Sequence, residues 1–564
     1  MGPAASYAGR IRRSSFLVLL YLSKIRSFNA STAADAGVRI TDNSGHVLPL
    51  SDSVLHDATA ISYGTCLSVC GSGPMSFAWD EFSQLFSAWL LPWLALISQL
   101  PFGGRHRIDN VVSIMLAVGS PALAGYSLVL TVLNSHWVMR RFHQFKQPRS
   151  GHAMHALRCL QQAPLKVLSF DLVNTLVVLR ENDSWWDNIV ERLDYKHTWS
   201  VSAVTNLIWV SIAFMFIVID AFRNLKSEDY NVRGESVGVV WLWLLPVVVG
   251  WLQISPKCDA ERIEKAMHDT NTKAYHVVTS DGIINGDAVP TRLYAVSLYD
   301  EGRGAVYDDE QCTSPIYNYA RVFTWAHAAE AIAMAYQCAE ERVGSGESSQ
   351  LSSHTGSVGH TYSGVACGHS YHAHDSLRAP GVWKRISAAS VMGLLLLWST
   401  TGAAFMLSWL TPTQGLGCRA GTYLVYGVVA TIVWLFMFIS SILVRCEVMP
   451  TDVTHSVLSA NPRLGLPGLM AISLRRIAKV LAAGNTIWII CGCIFQFSGF
   501  YNRCWCNSSV MSWGARAFSV LQTTESDVSY LHSTWAGGVV LSAVSSIFFY
   551  LFLNLYLHEP PRGR

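Results

Sequence analysis

Residues 421–444 read GTYLVYGVVATIVWLFMFISSILV, and none of them is Asp, Glu, Lys or Arg. As an α-helix this stretch would be about 36 Å long, enough to cross a hydrocarbon core of about 30 Å. An uncharged apolar run of this length is typical of a membrane-spanning helix, because buried helices of soluble proteins are usually shorter. The stretch therefore predicts a chain that folds in a lipid bilayer.

The rest of the chain repeats this pattern. Of its 564 residues, 51% are hydrophobic and 14% are charged, whereas soluble domains carry about 25% charged residues. Further apolar runs of span length lie at 82–100, 111–133, 199–219, 237–254, 386–410, 480–501 and 535–557. We therefore expect an all-α fold, a polytopic transmembrane helical bundle of about eight spans, within a range of seven to nine.

Three of these runs contain a proline: Pro92, Pro121 or Pro246. Proline removes a backbone donor, so we expect a kink in each helix, with a neighbouring helix or side chain satisfying the freed carbonyl. The alternative is that the prolines mark discontinuous helices around a binding site. Another apolar stretch, 163–179, holds a lysine and an aspartate, so it predicts an interfacial helix and not a ninth span.

The spans divide the chain into parts. A leader and polar segment covers 1–81, a first membrane half 82–254, a polar region 255–385, a second membrane half 386–557 and a short tail 558–564. The polar region is helical at first and then rich in His, Ser and Gly, which predicts disorder there. The leader has an arginine-rich start and an apolar core, as a secretory signal has. Lys24 and Arg26 directly after that core make a cytosolic or disordered leader the alternative.

Orientation follows the positive charges of the short loops. The loop 445–479 contains Arg445, Arg463, Arg475, Arg476 and Lys479, whereas 411–420 has Arg419 and 502–534 has Arg503 and Arg516. We therefore expect the first loop in the cytosol and the other two outside. Eight spans then put both termini and both large polar regions, 134–197 and 255–385, in the cytosol. An N-terminus outside would require an odd number of crossings, with the run around Pro121 re-entrant.

The stretch 500–510, FYNRCWCNSSV, combines two cysteines with a glycosylation acceptor in an exterior loop. The two cysteines are too close in sequence to bridge one another without heavy strain, so we expect at least one to pair elsewhere. A cysteine of the neighbouring exterior loop is the nearest candidate, and the two near residue 70 become candidates if the N-terminus is also outside. The disulfide candidates are Cys418, Cys504, Cys506, Cys66 and Cys70. Asn507 has the form of a glycosylation site, although it lies close to the membrane.

The strongest pattern for a metal is CGHSYHAHD at 367–375. Thiol and imidazole groups are ligand types for zinc, and here they belong to Cys367, His369, His372 and His374. The spacing matches no closed structural zinc site, and a solvated low-complexity loop has the same composition. A His-rich loop between spans is similar to that of the ZIP family of zinc transporters, whose central spans carry ionisable ligands that the predicted spans lack. We expect no cofactor.

The predicted spans contain no Asp, Glu, His, Lys or Arg, which disfavours a proton-coupled carrier. Their polar residues include Asn206, Gln253, Asn485, Gln496 and Asn554. The sequence has no phosphate-binding glycine loop, nucleophile elbow, zinc-protease motif or dinucleotide fingerprint. Acidic pairs such as Asp308 and Asp309 are expected to cap helices or to lie in solvent.

These observations favour a non-enzymatic membrane protein, either a channel-like or lipid-handling transporter or a receptor or scaffold. The alternative is a membrane-embedded enzyme that acts on lipid. A water-accessible cavity at Asn485, Gln496 and Pro121 would favour a transporter. A closed apolar bundle would favour a receptor or scaffold. A lipid-facing cluster of His and acidic residues would favour the enzyme. The expected partner is the lipid bilayer and not nucleic acid, since the formal charge is only +3. We expect a location in the secretory pathway or plasma membrane.

Three segments resemble, taken together, a family of multi-spanning membrane proteins from filamentous fungi. They are FAWDEFSQLFSAWLLPWLALISQLPFG at 77–103, ENDSWWDNIVERLDYKHTWSVSAVTNLIWV at 181–210 and NYARVFTWAHAAEAIA at 318–333. The resemblance covers most of the chain from about Cys66 onward. That family has no assigned activity, so the resemblance implies a fungal membrane protein and no functional residue.

Overall fold

The computed structural model describes residues 38–49, 51, 58–70, 79–147, 149–195, 199–223, 239–278, 282–285, 294–298, 306–344, 381–448 and 465–557. The helices up to the middle of the chain are α1 (Tyr63–Cys70), α2 (Trp79–Ile97), α3 (Arg107–Gly119), α4 (Pro121–Phe142), α5 (Ser150–Cys159), α6 (Phe170–Val178), α7 (Asp183–Leu193), α8 (Val201–Arg223), α9 (Leu244–Ile254) and α10 (Ala260–Asn271). They are followed by α11 (Asp308–Gln311), α12 (Asn318–Gly344), α13 (Val382–Leu410), α14 (Cys418–Val448), α15 (Leu466–Phe497), α16 (Cys504–Asn507), α17 (Val510–Trp513) and α18 (Glu525–Leu557). Short strands are β1 (Ile40–Thr41), β2 (Ala60–Ser62), β3 (Leu165–Val167), β4 (Tyr275–Val278), β5 (Gly282–Asn285), β6 (Val296–Leu298) and β7 (Phe518–Val520). The apolar core of the leader, the His-rich part of the polar region and the tail lie outside the described residues.

Within the described residues, 5 helices are long and apolar enough to cross a membrane: α4, α13, α14, α15 and α18. The expectation of a mostly helical chain with several candidate spans is confirmed, whereas the count of about eight is not. The run 237–254 shows one reason, because it forms a 3-10 turn, Val239–Trp241, followed by the 11-residue helix α9. That helix is only about 16 Å long.

The sequence predicts a kinked helix at each of the three prolines, but two of them stand at the start of a helix. Pro121 is the first residue of α4, and Pro246 lies in the first turn of α9. The prediction of kinks is wrong at both positions, because the first amides of a helix have no intrahelical partner and proline loses nothing by lacking one. The hydroxyl of Ser120 completes the start of α4 by accepting a hydrogen bond from the amide of Leu123 (3.3 Å).

The two large polar regions pack together into one layer. We call α5, α6, α7, α10 and α12 with β3 to β6 the polar layer. Strand β3 pairs with β6, which sets Leu165 opposite Leu298, and the indole of Trp185 donates to the side-chain oxygen of Asn271 (3.1 Å). One hydrophobic core continues from this layer into the bundle. Parts of the chain that are far apart in sequence therefore fold as one unit.

The run 163–179 differs from its prediction. The interfacial helix expected there is replaced by strand β3 and the 9-residue helix α6. Ser169 separates them, since its hydroxyl accepts from the amide of Leu172 (3.3 Å) and so starts the helix. Both elements lie in the polar layer, and neither is long enough to cross a bilayer.

Helices α3 and α4 form a hairpin whose tip is Ser120. The Ser120 hydroxyl donates to the carbonyl of Ala430, near the middle of α14 (2.7 Å). A Cβ atom on Gly119 would lie 2.2 Å from the carbonyl oxygen of Ala482 in α15. Only glycine therefore lets α3 end against that helix. The tip packs between the middles of two long helices.

The open ends of the hairpin both lie at the polar layer. Arg105, just before α3, pairs with Glu264 of α10 (2.6 Å). Arg141, at the end of α4, pairs with Glu330 of α12 (3.2 Å). The chain thus runs from the polar layer into the bundle and returns to the polar layer.

Two long helices begin earlier than the sequence predicts. Helix α15 begins at Leu466 and not near residue 480, and α18 begins at Glu525 and not near residue 535. Proline in the first turn of α15 and two acidic residues in the first turn of α18 suit helix starts, because free amides and a positive dipole end lie there. The apolar runs therefore underestimate these helices.

Candidate functional site

The end of the bundle away from the polar layer holds two disulfides. It comprises the C-terminal ends of α13 and α15 and the start of α14 and α18, and we call it the disulfide end. Cys66 is bonded to Cys504 (Cα–Cα 5.9 Å), and Cys418 is bonded to Cys506 (Cα–Cα 5.0 Å). The two neighbouring cysteines of α16 therefore have different partners. The side chain of Cys70 lies outside the described part of the chain.

A three-stranded sheet fastens the segment 38–70 to the same end. Strand β2 pairs with β1 on one side and with β7 on the other, and Ala60 lies opposite Val520. Cys66 and the sheet hold this N-terminal segment beside the loop of Cys418. The expectation of eight spans with a cytosolic N-terminus does not fit this attachment, because it puts the two on opposite sides of the membrane.

Asn507 lies within the disulfide end. Its side-chain nitrogen donates to the hydroxyl of Ser519 of β7 (2.8 Å). A glycan would be attached to this same nitrogen, so modification would have to occur before the hydrogen bond forms. Glycosylation of Asn507 stays a prediction.

Asp309 is the centre of a buried ionic cluster at the other end of the bundle. It is 2% exposed. Its carboxylate accepts a hydrogen bond from the hydroxyl of Tyr319 (2.5 Å) and pairs with Lys479 (2.5 Å) and Arg475 (3.6 Å). The Arg475 Nε also donates to the hydroxyl of Ser440 in α14 (3.2 Å). We call Asp309, Tyr319, Arg475 and Lys479 the Asp309 cluster.

Opposing effects act on the pKa of Asp309. Burial raises this pKa, because the charged form is costly away from water, while Lys479 and Arg475 lower it. The net shift is downward from the ordinary value of 3.8. The carboxylate is therefore ionised at neutral pH and forms a fixed ion pair, which is unsuited to relaying protons.

The Asp309 cluster contradicts one expectation and shows the limit of another. Asp308 is exposed as predicted, but Asp309, in the same first turn of α11, is buried. The predicted span 480–501 holds no ionisable residue, but the helix α15 that contains most of it begins at Leu466 and therefore includes Arg475 and Lys479. The sequence did contain a signal for the early start of α15. Pro467, a residue suited to a first helical turn, precedes an unbroken helical stretch.

A second buried cation binds the segment 306–317, which contains Asp309. Arg321 of α12 is 1% exposed, and its Nη2 donates to the carbonyl of Ser314 (2.9 Å) and to the side-chain oxygens of Asn318 (2.8 Å) and Gln162 (3.3 Å). Burial lowers the pKa of Arg321 to about 10, so the guanidinium stays protonated at neutral pH. Together with the Asp309 cluster it attaches residues 306–317 to the bundle.

Asn485, expected near a transport site, supports the backbone of α3. Its side-chain nitrogen donates to the carbonyls of Gly119 (2.8 Å) and Tyr426 (3.1 Å). The hydroxyl of Tyr426 donates to the carbonyl of Val118 (2.7 Å). The last carbonyls of a helix lack intrahelical partners, and α14 and α15 supply them here. The break between α3 and α4 is therefore filled by protein groups.

An apolar cavity lies between α2, the Val239–Trp241 turn, α14 and α15. Its empty space of about 440 Å³ includes the part that is open to the surroundings, and only about 30 Å³ of it is free to a water-sized sphere. Its walls are aromatic and aliphatic side chains with one thiol: Leu90, Trp93, Val240, Trp241, Trp243, Tyr426, Ile489, Ile490, Cys493 and Phe497. Since the Tyr426 hydroxyl is bonded to a backbone carbonyl, this residue presents its ring. The cavity is apolar, and its free space suits the end of a hydrocarbon chain.

The described residues contain no group of three or more His, Cys, Asp or Glu side chains that could hold a metal ion. The predicted ligands Cys367, His369, His372 and His374 lie outside the described residues. The expectation of a metal site there is neither supported nor contradicted.

No family model, curated protein or solved structure matches this chain. The resemblance to a fungal membrane family therefore stays a prediction.

Proposed function

We propose that this protein is a non-enzymatic, lipid-handling membrane protein that takes the end of a membrane lipid's hydrocarbon chain into the cavity between α2 and α15. One observation carries the proposal: the cavity walls are rings, aliphatic chains and a thiol inside a helical bundle. Such walls attract hydrocarbon, because apolar surface is favourably removed from water and packs closely against aromatic rings. In a bilayer the ligand would be present at high concentration.

We further propose seven membrane crossings with a re-entrant hairpin in place of eight spans. The crossings are α2, α8, the Val239–Ile254 stretch, α13, α14, α15 and α18, and the hairpin is α3 with α4. The attachment of Cys66 to Cys504 supports an exterior N-terminal segment, and the ion pairs at both hairpin ends support re-entry. The polar layer is then cytosolic. Disulfides at the opposite end favour the secretory pathway or plasma membrane.

Filling the cavity tests lipid binding. In Cys493→Phe a ring would occupy space in the cavity wall, whereas Cys491, two residues away, is not part of the wall. We expect native mass spectrometry of the purified full chain to detect bound lipid in the wild type and in Cys491→Phe. In Cys493→Phe the bound fraction should fall about tenfold, because a lost hydrocarbon contact of about 1.4 kcal/mol changes affinity by that factor. Equal lipid in all three proteins would refute the proposal.

A receptor or scaffold is the second candidate, favoured by the protein groups that fill the break between α3 and α4 around Asn485. A proteoliposome assay separates the two. A lipid-handling protein should speed the movement of a fluorescent lipid between leaflets in the wild type and not in Cys493→Phe. A receptor would bind lipid without moving it.

A further inference from the structure

Two neighbouring helices of the bundle meet the polar layer at the ring of Phe323 in α12. Arg445, in the last turn of α14, places its guanidinium carbon 4.4 Å from the centre of this ring. The ring of Trp383, in the first turn of α13, lies 5.5 Å from it, centre to centre. Lys384 follows Trp383 and is exposed. We call Phe323, Trp383, Lys384 and Arg445 the Phe323 corner.

The Phe323 corner lies at the end of two candidate membrane spans. These spans are Val382–Leu410 in α13 and Cys418–Cys446 in α14, so Lys384 and Arg445 stand where hydrocarbon gives way to lipid headgroups. An exposed tryptophan such as Trp383 is typical of that level, because its ring is apolar and its nitrogen is polar. Both cations are therefore at the height of the lipid phosphates.

An exposed apolar stripe of α13 begins below Lys384. Val391 and Leu395 are 63% and 41% exposed, and Trp398 is also exposed. They follow Lys384 by seven, eleven and fourteen positions, which puts all of them on its face of the helix. Within a bilayer this stripe is in contact with acyl chains.

The face of α14 below Arg445 meets this stripe. Trp434 and Thr431 precede Arg445 by eleven and fourteen positions, share its face and are half-buried. The indole nitrogen of Trp398 donates to the hydroxyl of Thr431 (3.2 Å). The two faces thus form one shallow apolar groove between α13 and α14, with Lys384 and Arg445 at its polar-layer end.

We infer that the Phe323 corner binds the headgroup of an anionic phospholipid whose acyl chains lie in this groove. Lys384 and Arg445 supply two positive charges, and such side chains hold phosphate through charge-assisted hydrogen bonds. The contact with Phe323 uses the flat face of the guanidinium, whereas its N–H groups donate from the edge.

The groove is what favours a lipid over a soluble phosphate, which would leave the apolar stripe uncovered. In the proposed orientation this corner also faces the cytosolic leaflet, where anionic lipids are concentrated. The inference does not depend on the cavity between α2 and α15, because the groove lies between α13 and α14.

The test uses phosphatidylglycerol and phosphatidylcholine with the same acyl chains, each carrying a diazirine at the glycerol end of one chain. The full-length protein is titrated with either lipid in neutral detergent, and labelled peptides are mapped. We expect phosphatidylglycerol to label the start of α13 and the end of α14 at about tenfold lower concentration than phosphatidylcholine. Lys384→Gln and Arg445→Gln should each weaken phosphatidylglycerol labelling there about fivefold, as is usual for one basic residue beside an anionic headgroup.

Arg476→Gln is the matched control, because it removes an exposed cation of α15 and not of either groove wall. It should keep the wild-type preference, and so should Cys493→Phe, which changes only the cavity. Equal labelling of the wild type by both lipids, or an equal loss in Arg476→Gln, would overturn the inference. Competition by soluble glycerol phosphate would overturn a lipid as the occupant. If Arg445→Gln fails to fold, the exposed Lys384→Gln still decides.

Discussion

At the residue scale, Asp309 decides how residues 306–317 are attached to the bundle. Asp309→Asn keeps the shape of the side chain and removes the charge that balances Lys479 and Arg475. Because a buried cation is then left without its partner, we expect a loss of about 3 kcal/mol in stability. Asp308→Asn, one residue away and exposed, should change stability by less than about 0.5 kcal/mol. Thermal unfolding in detergent measures both, and equal effects would contradict the buried ion pair.

The pH dependence of this effect has a defined sign. The pKa of Asp309 is lower in the folded protein than its ordinary value of 3.8. The ion pair therefore contributes fully above about pH 5 and loses its contribution as the pH falls through the lowered pKa. The stability difference between wild type and Asp309→Asn should stay constant from neutral pH down to about pH 5 and shrink as the pH falls further. A difference that disappears nearer neutrality would indicate another cause.

The cysteines show at the same scale how far sequence reasoning reaches. Chain geometry alone predicts that Cys504 and Cys506 do not pair with one another. It leaves the choice among Cys418, Cys66 and Cys70 open, because that choice depends on which side of the membrane the N-terminal segment lies. The bonds to Cys66 and Cys418 depend on the fold of the whole disulfide end.

At the element scale, the α3–α4 hairpin depends on close approach to α15. In Gly119→Ala the new methyl group would meet the carbonyl of Ala482 at 2.2 Å, so α15 or α3 must shift. We expect a loss of about 1–3 kcal/mol, as is usual for overpacking. Thermal unfolding and lipid binding should both report the displaced tip.

Gly484→Ala is the control for that prediction. Gly484 lies on the same helix α15, and nothing lies within 4 Å of a Cβ atom built there. Alanine at this position should be neutral or stabilise the protein by about 0.5–1 kcal/mol, because glycine is a poor helix former. If both substitutions are equally harmless, the tip of the hairpin does not pack against α15.

The element boundaries also show where local patterns fail. An apolar run marks the part of a helix that lipid or core surrounds, so it predicts α13 and α14 well. It misses the polar turns at the start of α15 and α18. In the same way a proline between two apolar stretches is compatible with a kink, a break or a new helix, and the packing around Ser120 selects the last.

At the scale of the whole molecule, the proposed arrangement puts the segment 38–70 and the polar layer on opposite sides of the membrane. A glycosylation acceptor introduced by Ser44→Asn with His46→Thr lies in an exposed turn near β1. We expect it to be glycosylated on expression in eukaryotic cells, because the acceptor would face the lumen. The gain in mass, removed by an endoglycosidase, is the measurement.

The matched variant carries His268→Asn, which together with Thr270 makes an acceptor at an exposed position of α10 in the polar layer. It should remain unmodified, since a cytosolic acceptor is never exposed to the glycosylation machinery. Modification of the second site with none at the first would reverse the orientation. Modification of both would show that the polar layer and the N-terminal segment share one side.

The sequence by itself determined that this chain belongs in a membrane and that most of it is helical. The physical reason is local: a long uncharged run can satisfy its backbone groups in lipid only as a helix, and its length sets the span. The tertiary structure alone decided the rest. The return of α4 to the polar layer, the burial of Asp309, the disulfide partners and the apolar cavity all join segments that are far apart in the chain. Such contacts depend on how long helices pack, which no local pattern of residues encodes.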